Sequence, residues 1–148
     1  MSAEISITNE QKSVRIPVKR ITALIRFLFS KEKVKGQGVS VLFCDDKKIK
    51  SLHKQYMNLN TPTDVMAFPG DDDFCPGAEG YLGDVVVSAE RAKAVASTYR
   101  EPVIRETERY VVHGILHLLG YDDKAEKKKK IMIARQETIL SEFWDSAI

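Results

Sequence analysis

The chain has 148 residues, 43% of them hydrophobic, and a net charge of +2, which suits one domain with its own core and no disulfide framework. It has no apolar run of the ~20 residues a membrane span needs, and its polar start, with Glu4 and Glu10, is unlike a signal or transit peptide. A cytoplasmic protein is expected.

Cys44 and Cys75 stand far apart and outside any C-x-x-C pattern, as reduced structural cysteines do. The near-neutral charge balance says little about partners, but its distribution is uneven. Basic residues gather from Lys12 to Lys35, from Lys47 to Lys54, and in the run Lys127, Lys128, Lys129, Lys130.

In chain order, Glu4 to Thr8 alternates apolar and polar residues and reads as a half-buried strand. Pro17 opens a helix with Val18, Ile21, Leu24, Ile25 and Leu28 on one face, and Gly36 and Gly38 end it. Val39 to Cys44 is a strand, and Asp45 or Asp46 caps a helix carrying Ile49, Leu52 and Tyr56. Asn58 to Pro62 is a turn, Asp64 to Phe68 a strand, and Pro69 to Gly80 a long loop rich in Gly, Pro and Asp. Tyr81 to Val87 is a strand, and Ser88 caps a helix running toward Arg100. Glu101-Pro102 restarts a helix that ends at Gly120. The last helix spans Lys124 to Trp144, with Ile131, Ile133, Ile139, Leu140 and Phe143 as its apolar residues. No helix separates the strands Asp64–Phe68 and Tyr81–Val87, so the expected α/β (α+β) domain, residues 1–148, has a mixed four-stranded sheet and about five helices.

The chemistry concentrates in His113-Gly-Ile-Leu-His117-Leu-Leu-Gly120-Tyr121-Asp122-Asp123. On a helix, His113 and His117 project from one face, one turn apart, where two ring nitrogens can reach one ion at ~2.0–2.1 Å. Gly120 permits the left-handed conformation that ends a helix. Three residues on, the Asp123 carboxylate can return to the same ion. An alternative is open for Asp123, which could cap the last helix with Glu126 completing a capping box. The other histidine, His53, lies among Lys50, Lys54 and Tyr56 and reads as a surface residue.

The spacing matches the metzincin pattern H-E-x-x-H-x-x-G-x-x-H, with two differences. Gly114 stands where that pattern has its catalytic Glu, and Asp123 where it has the third His. Without the Glu the general base of peptide hydrolysis is missing, while two His and a carboxylate remain a good catalytic zinc set. A zincin-like metal helix without protease chemistry is the expectation, with one zinc ion per chain. The lysine run opposes the dipole at the start of the last helix, and phosphate attraction is one reason to keep it there.

These motifs resemble the YbeY family of bacterial endoribonucleases, also described as ribosomal RNA maturation factors. His113 to Asp123 is similar to the family's H-G-x-L-H-L-x-G-Y-D-H, Pro62 to Pro69 to its P-T-D-V-L-S-F-P, and Leu82 to Ser88 to its L-G-D-I-V-I-S. Met132, Glu137 and Leu140 keep the register of its tail. The resemblance implies a fold related to zinc-dependent proteases, a zinc ion, and cleavage of single-stranded RNA during rRNA processing and ribosome quality control. The implied partners are ribosomal RNA precursors and the small ribosomal subunit. Two positions depart from the pattern: Asp123 replaces a His ligand, and Met57 stands where the family has an Arg that would stabilise charge on a phosphorane-like transition state.

The expected activity is therefore a metal-dependent endoribonuclease with His113, His117 and Asp123 as ligands and Lys127, Lys128, Lys129 and Lys130 on RNA. Asp64 and Asp84, within the family-like motifs, are candidates for the general base. The rival readings are a metzincin-like metalloprotease and a ribosome-assembly protein with little catalytic activity.

Overall fold

In the computed structural model, residues 4–57, 64–70 and 80–146 are described. They form β1 (Ile5–Asn9), α1 (Val18–Lys31), β2 (Gly38–Cys44), α2 (Asp46–Met57), β3 (Val65–Pro69), β4 (Tyr81–Ser88), α3 (Ala89–Tyr99), α4 (Val103–Leu118) and α5 (Glu126–Ser146). The expected turn Asn58–Pro62 and most of the long loop, including Cys75, lie outside the described residues.

The strands hydrogen-bond in the order β1-β2-β4-β3. β1, β2 and β4 run parallel, with Val41 beside Val85, and β3 is antiparallel to β4, with Met66 beside Val86. The sheet is mixed, as expected. A two-residue period sends neighbouring side chains to opposite faces. Val39, Val41, Phe43, Val85 and Val87 thus meet Ile21, Leu24 and Leu28 of α1, Val111 and Ile115 of α4, and Met132 and Ile139 of α5. Val86, Met66 and Cys44 turn to the other face and pack with Ile49 of α2. Each such side chain fully removed from water contributes roughly 1.5–3 kcal/mol. Burial pushes the Cys44 thiol up to about 12, which marks it as structural rather than reactive.

Helix ends follow local chemistry. Asp45 accepts from the Lys48 N–H at 2.8 Å and Ser88 from the Arg91 N–H at 3.1 Å, two side-chain N-caps at the expected positions. α1 stops at Lys31, short of Gly36. Lys33 takes the left-handed turn at φ 57° and the Val34 N–H returns to the Phe29 carbonyl at 2.8 Å. A lysine does there what the sequence pattern assigns to glycine further on, because the returning hydrogen bond offsets its steric cost.

α5 begins at Glu126 rather than Lys124, since Lys124 donates its N–H to the Asp122 side chain at 3.1 Å in a turn before the helix. Its apolar face also differs from expectation. Met132, Gln136, Ile139, Leu140 and Phe143 are buried, whereas Ile131 and Ile133 are 55% and 41% exposed. They flank Met132 by one residue each, about 100° off the buried line, so their hydrophobicity did not set the helix's orientation.

Candidate metal centre

α4 buries Val111, Val112, Ile115 and Leu116 against the sheet and leaves His113 and His117 half-buried on the adjoining face. Close approach to the sheet fixes Gly114. A Cβ at that position would lie 2.5 Å from Val85 Cγ1 and 3.1 Å from Val65 Cγ2. The metzincin glutamate is therefore excluded by packing as well as absent.

The helix closes on a Schellman turn: the Gly120 N–H bonds the His117 carbonyl at 3.1 Å and the Tyr121 N–H the Leu116 carbonyl at 3.0 Å, with Gly120 at φ 103°. The chain then reverses toward α5. The Tyr121 hydroxyl donates to Glu32 Oε1 at 2.7 Å, and Arg135 Nε donates to Glu32 Oε2 at 2.9 Å. Those bonds tie the returning loop to α1 and α5 and fix the approach of Asp123.

The three donor groups converge. His113 Nε2 and His117 Nε2 are 3.2 Å apart, Asp123 Oδ2 is 3.8 Å from His117 Nε2, and the three donor atoms lie within 4.8 Å of one another. Two zinc ligands at ~2.0–2.1 Å across a tetrahedral angle stand about 3.3 Å apart, so the histidine pair is already at ligand spacing. Burial, followed by the neighbouring His113, lowers the pKa of His117, and Asp123 pulls the other way. The net direction favours neutral imidazole, the form that binds metal. Two imidazole nitrogens and one carboxylate suit zinc, and among the described residues they form the donor group. Asp123 is off the cap position of α5, which starts three residues later.

The group opens onto a cleft of about 160 Å³ whose other wall is Asp64, Val65, Met66 and Ala67 of the β3 edge. A second cleft of about 410 Å³ shares Asp64, Val65 and His113 and continues past Tyr110, Arg109 and Gln136.

The family profile described as Endoribonuclease YbeY matches residues 6–144. The chain belongs to the YbeY endoribonuclease family. Two relatives, each named Endoribonuclease YbeY, illustrate the similarity. That of Oceanobacillus iheyensis is 41% identical over 131 residues, covering 83% of this chain and 85% of its own. That of Geobacillus thermodenitrificans is 35% identical over 153 residues, covering 97% of each. A solution structure of a Thermotoga maritima protein superposes with a TM-score of 0.67 at 28% identity, covering 96% of this chain and 90% of that one.

Within this YbeY fold the other sequence candidates separate. Asp64 lines the same cleft as the histidines, and its backbone carbonyl accepts from the Ser88 N–H at 2.9 Å. Asp84 does not join them. It lies on the opposite face of β4, beside Ser40 and Glu10, and accepts from the Tyr81 hydroxyl at 2.5 Å. Strand alternation puts it there: Val85, its neighbour, faces α4. Lys127 to Lys130 are all exposed in the first turns of α5, and Lys128 reaches Asp122 at 3.6 Å, next to Asp123. The Met57 side chain lies outside the described residues. His53 is half-buried on α2 and is not part of the His113, His117, Asp123 group.

Sequence reasoning missed Gln136. Only 6% exposed, it sits in line with Met132 and Leu140 on the buried face of α5, and its Oε1 lies 2.8 Å from His113 Nδ1. A polar residue at a core position was the available signal.

Proposed function

We propose that the protein is a zinc-dependent endoribonuclease that cuts single-stranded RNA during ribosomal RNA maturation and ribosome quality control in the cytoplasm, acting on rRNA precursors and at the small ribosomal subunit. The observation that carries the reading is the convergence of His113, His117 and Asp123 at an open cleft in a chain of an endoribonuclease family. No helix among the described residues is long and apolar enough to cross a membrane.

His113, His117 and Asp123 would hold the ion through Nε2, Nε2 and a carboxylate oxygen. When bound, zinc supplies Lewis-acid polarisation of a phosphate oxygen and a more acidic water. The chain's own residues do the rest. Asp123 would add a negative charge that three imidazoles would not, so the site would hold the ion with one less positive charge than an all-histidine site. Asp64, which lines the same cleft as the histidines, would be the carboxylate that accepts a proton from a nucleophile. The exposed lysines at the start of α5 adjoin the Asp122–Asp123 loop, where they would attract RNA phosphates toward the cleft.

Against the protease reading stands Gly114, at the place of the metzincin glutamate, where a side chain would meet Val85. The test is cleavage of rRNA precursors with and without chelator, beside casein as a control substrate. RNA cutting should stop with chelator, return with added zinc, and be lost in His117→Ala, while casein remains intact. Chelator-insensitive RNA cleavage, or casein cleavage that disappears in His117→Ala, would overturn the proposal. Binding of precursor RNA without cleavage would instead identify a ribosome-assembly protein.

A further inference from the structure

A neutral imidazole carries one ring proton, and whichever nitrogen holds it is unavailable to a metal. For His113 the choice is made from outside the donor group. Its Nδ1 lies 2.8 Å from Gln136 Oε1, and the other end of that amide, Nε2, donates to Glu137 Oε2 at 3.0 Å. Glu137 is in turn gripped by both arms of one guanidinium, with Arg109 Nε 3.1 Å from Oε2 and Nη2 3.3 Å from Oε1. Arg109 is steadied by Glu106 at 2.6 Å and precedes His113 by one turn of α4.

Each link has a direction. A carboxylate only accepts, so the amide must turn its NH₂ to Glu137 and its oxygen to His113. An amide oxygen only accepts, so Nδ1 must carry the proton. The inverted amide would set oxygen against carboxylate in a partly buried place, where a failed hydrogen bond is costly. Nε2, which faces His117 at 3.2 Å, is left bare.

We propose that Gln136, oriented by Glu137 and Arg109, is a positioning residue that locks His113 as the Nδ1–H tautomer and so keeps Nε2 available to a cation. The purpose of the arrangement rests on the zinc reading above. The tautomer itself belongs to the metal-free chain and is measured without zinc. Partners of this kind typically change metal affinity by about 10–100-fold when removed.

The experiment is long-range ¹⁵N–¹H correlation of the histidine rings in the metal-free, full-length protein, paired with zinc titration by a competing chelator. The parent protein should show His113 protonated at Nδ1. Gln136→Met, similar in length but without an acceptor, should populate the Nε2–H form and bind zinc about 10–100-fold more weakly.

Glu137→Ala is the decisive variant. Its side chain is 43% exposed and outside the core, so the fold tolerates the change even where Gln136→Met does not fold. It touches the histidine only through Gln136, and it should shift the tautomer in the same direction. A parent protein with His113 protonated at Nε2 would overturn the proposal. So would an unchanged tautomer with unchanged zinc affinity in Glu137→Ala. A parent that shows the Nδ1–H form but takes up no zinc would defeat the zinc reading and leave the positioning role of Gln136 standing.

Discussion

Asp123 would set the charge of the proposed centre, and its position separates it from the capping role that the sequence also allowed. As a helix cap it would stand immediately before α5, yet that helix begins at Glu126 and the carboxylate instead faces His117 at 3.8 Å. Asn caps helices about as well as Asp but is a much poorer zinc ligand. Asp123→Asn should therefore weaken zinc binding at least about tenfold, ~1.4 kcal/mol, and leave the metal-free melting temperature in place. Competition titration and thermal unfolding of the same preparation check both halves. Unchanged zinc affinity would remove Asp123 from the ligand set. Gly114 is the opposite kind of residue, fixed by what it lacks: α4 lies so close to Val85 that only hydrogen fits.

Among the elements, α5 combines the most functions. One face carries Met132, Ile139, Leu140 and Phe143 into the core, with Gln136 among them facing His113. Its exposed first turns hold four lysines where the helix dipole favours acids, a conflict of ~0.3–1 kcal/mol each. Changing Lys127, Lys128, Lys129 and Lys130 together to Gln should weaken RNA binding and flatten its salt dependence. Every phosphate no longer neutralised by a lysine lowers the log–log slope on single strands by about 0.7. Binding measured across a salt series reads this directly, and an unchanged slope would reduce the run to a solvated face. The same variant should melt no lower than the parent, because the clash with the dipole is relieved.

At the scale of the whole molecule, a buried carboxylate holds three helices together. Glu108 of α4 is fully buried, accepts from Arg20 of α1 at 2.7 and 3.2 Å, and accepts from the Trp144 indole of α5 at 2.9 Å. Arg20 also lies over the Phe143 ring, 5.4 Å from its centroid. Removing Arg20, itself 36% exposed, strands the charge of the buried Glu108, at a cost of roughly 1–3 kcal/mol, less than in a wholly buried pair because water can reach the vacated side. Arg20→Met should destabilise the protein by about that amount in denaturant unfolding. Adding Glu108→Leu to Arg20→Met should recover most of the loss, since a pair replaced by apolar side chains is often neutral. If Arg20→Met unfolded like the parent, the pair would have no part in fixing the helix layer.

Periodicity and turn chemistry were sufficient for the number and order of elements, the mixed sheet and the two N-caps at Asp45 and Ser88, because those depend on neighbours within a few residues. The His113–His117 pairing was legible for the same reason: one helical turn fixes their relation. What lay beyond sequence depended on contacts between distant segments. Asp64 and Asp84 occupy similar-looking motifs, but only strand pairing puts the first beside the histidines and the second across the sheet. Ile131 and Ile133 are as apolar as Met132, yet the packing of α5 on α4 leaves them in solvent. Gln136 reaches His113 across 23 positions of sequence, a relation that no local pattern encodes. A side chain's direction follows from its own turn of backbone, whereas what it meets there is decided when the elements pack.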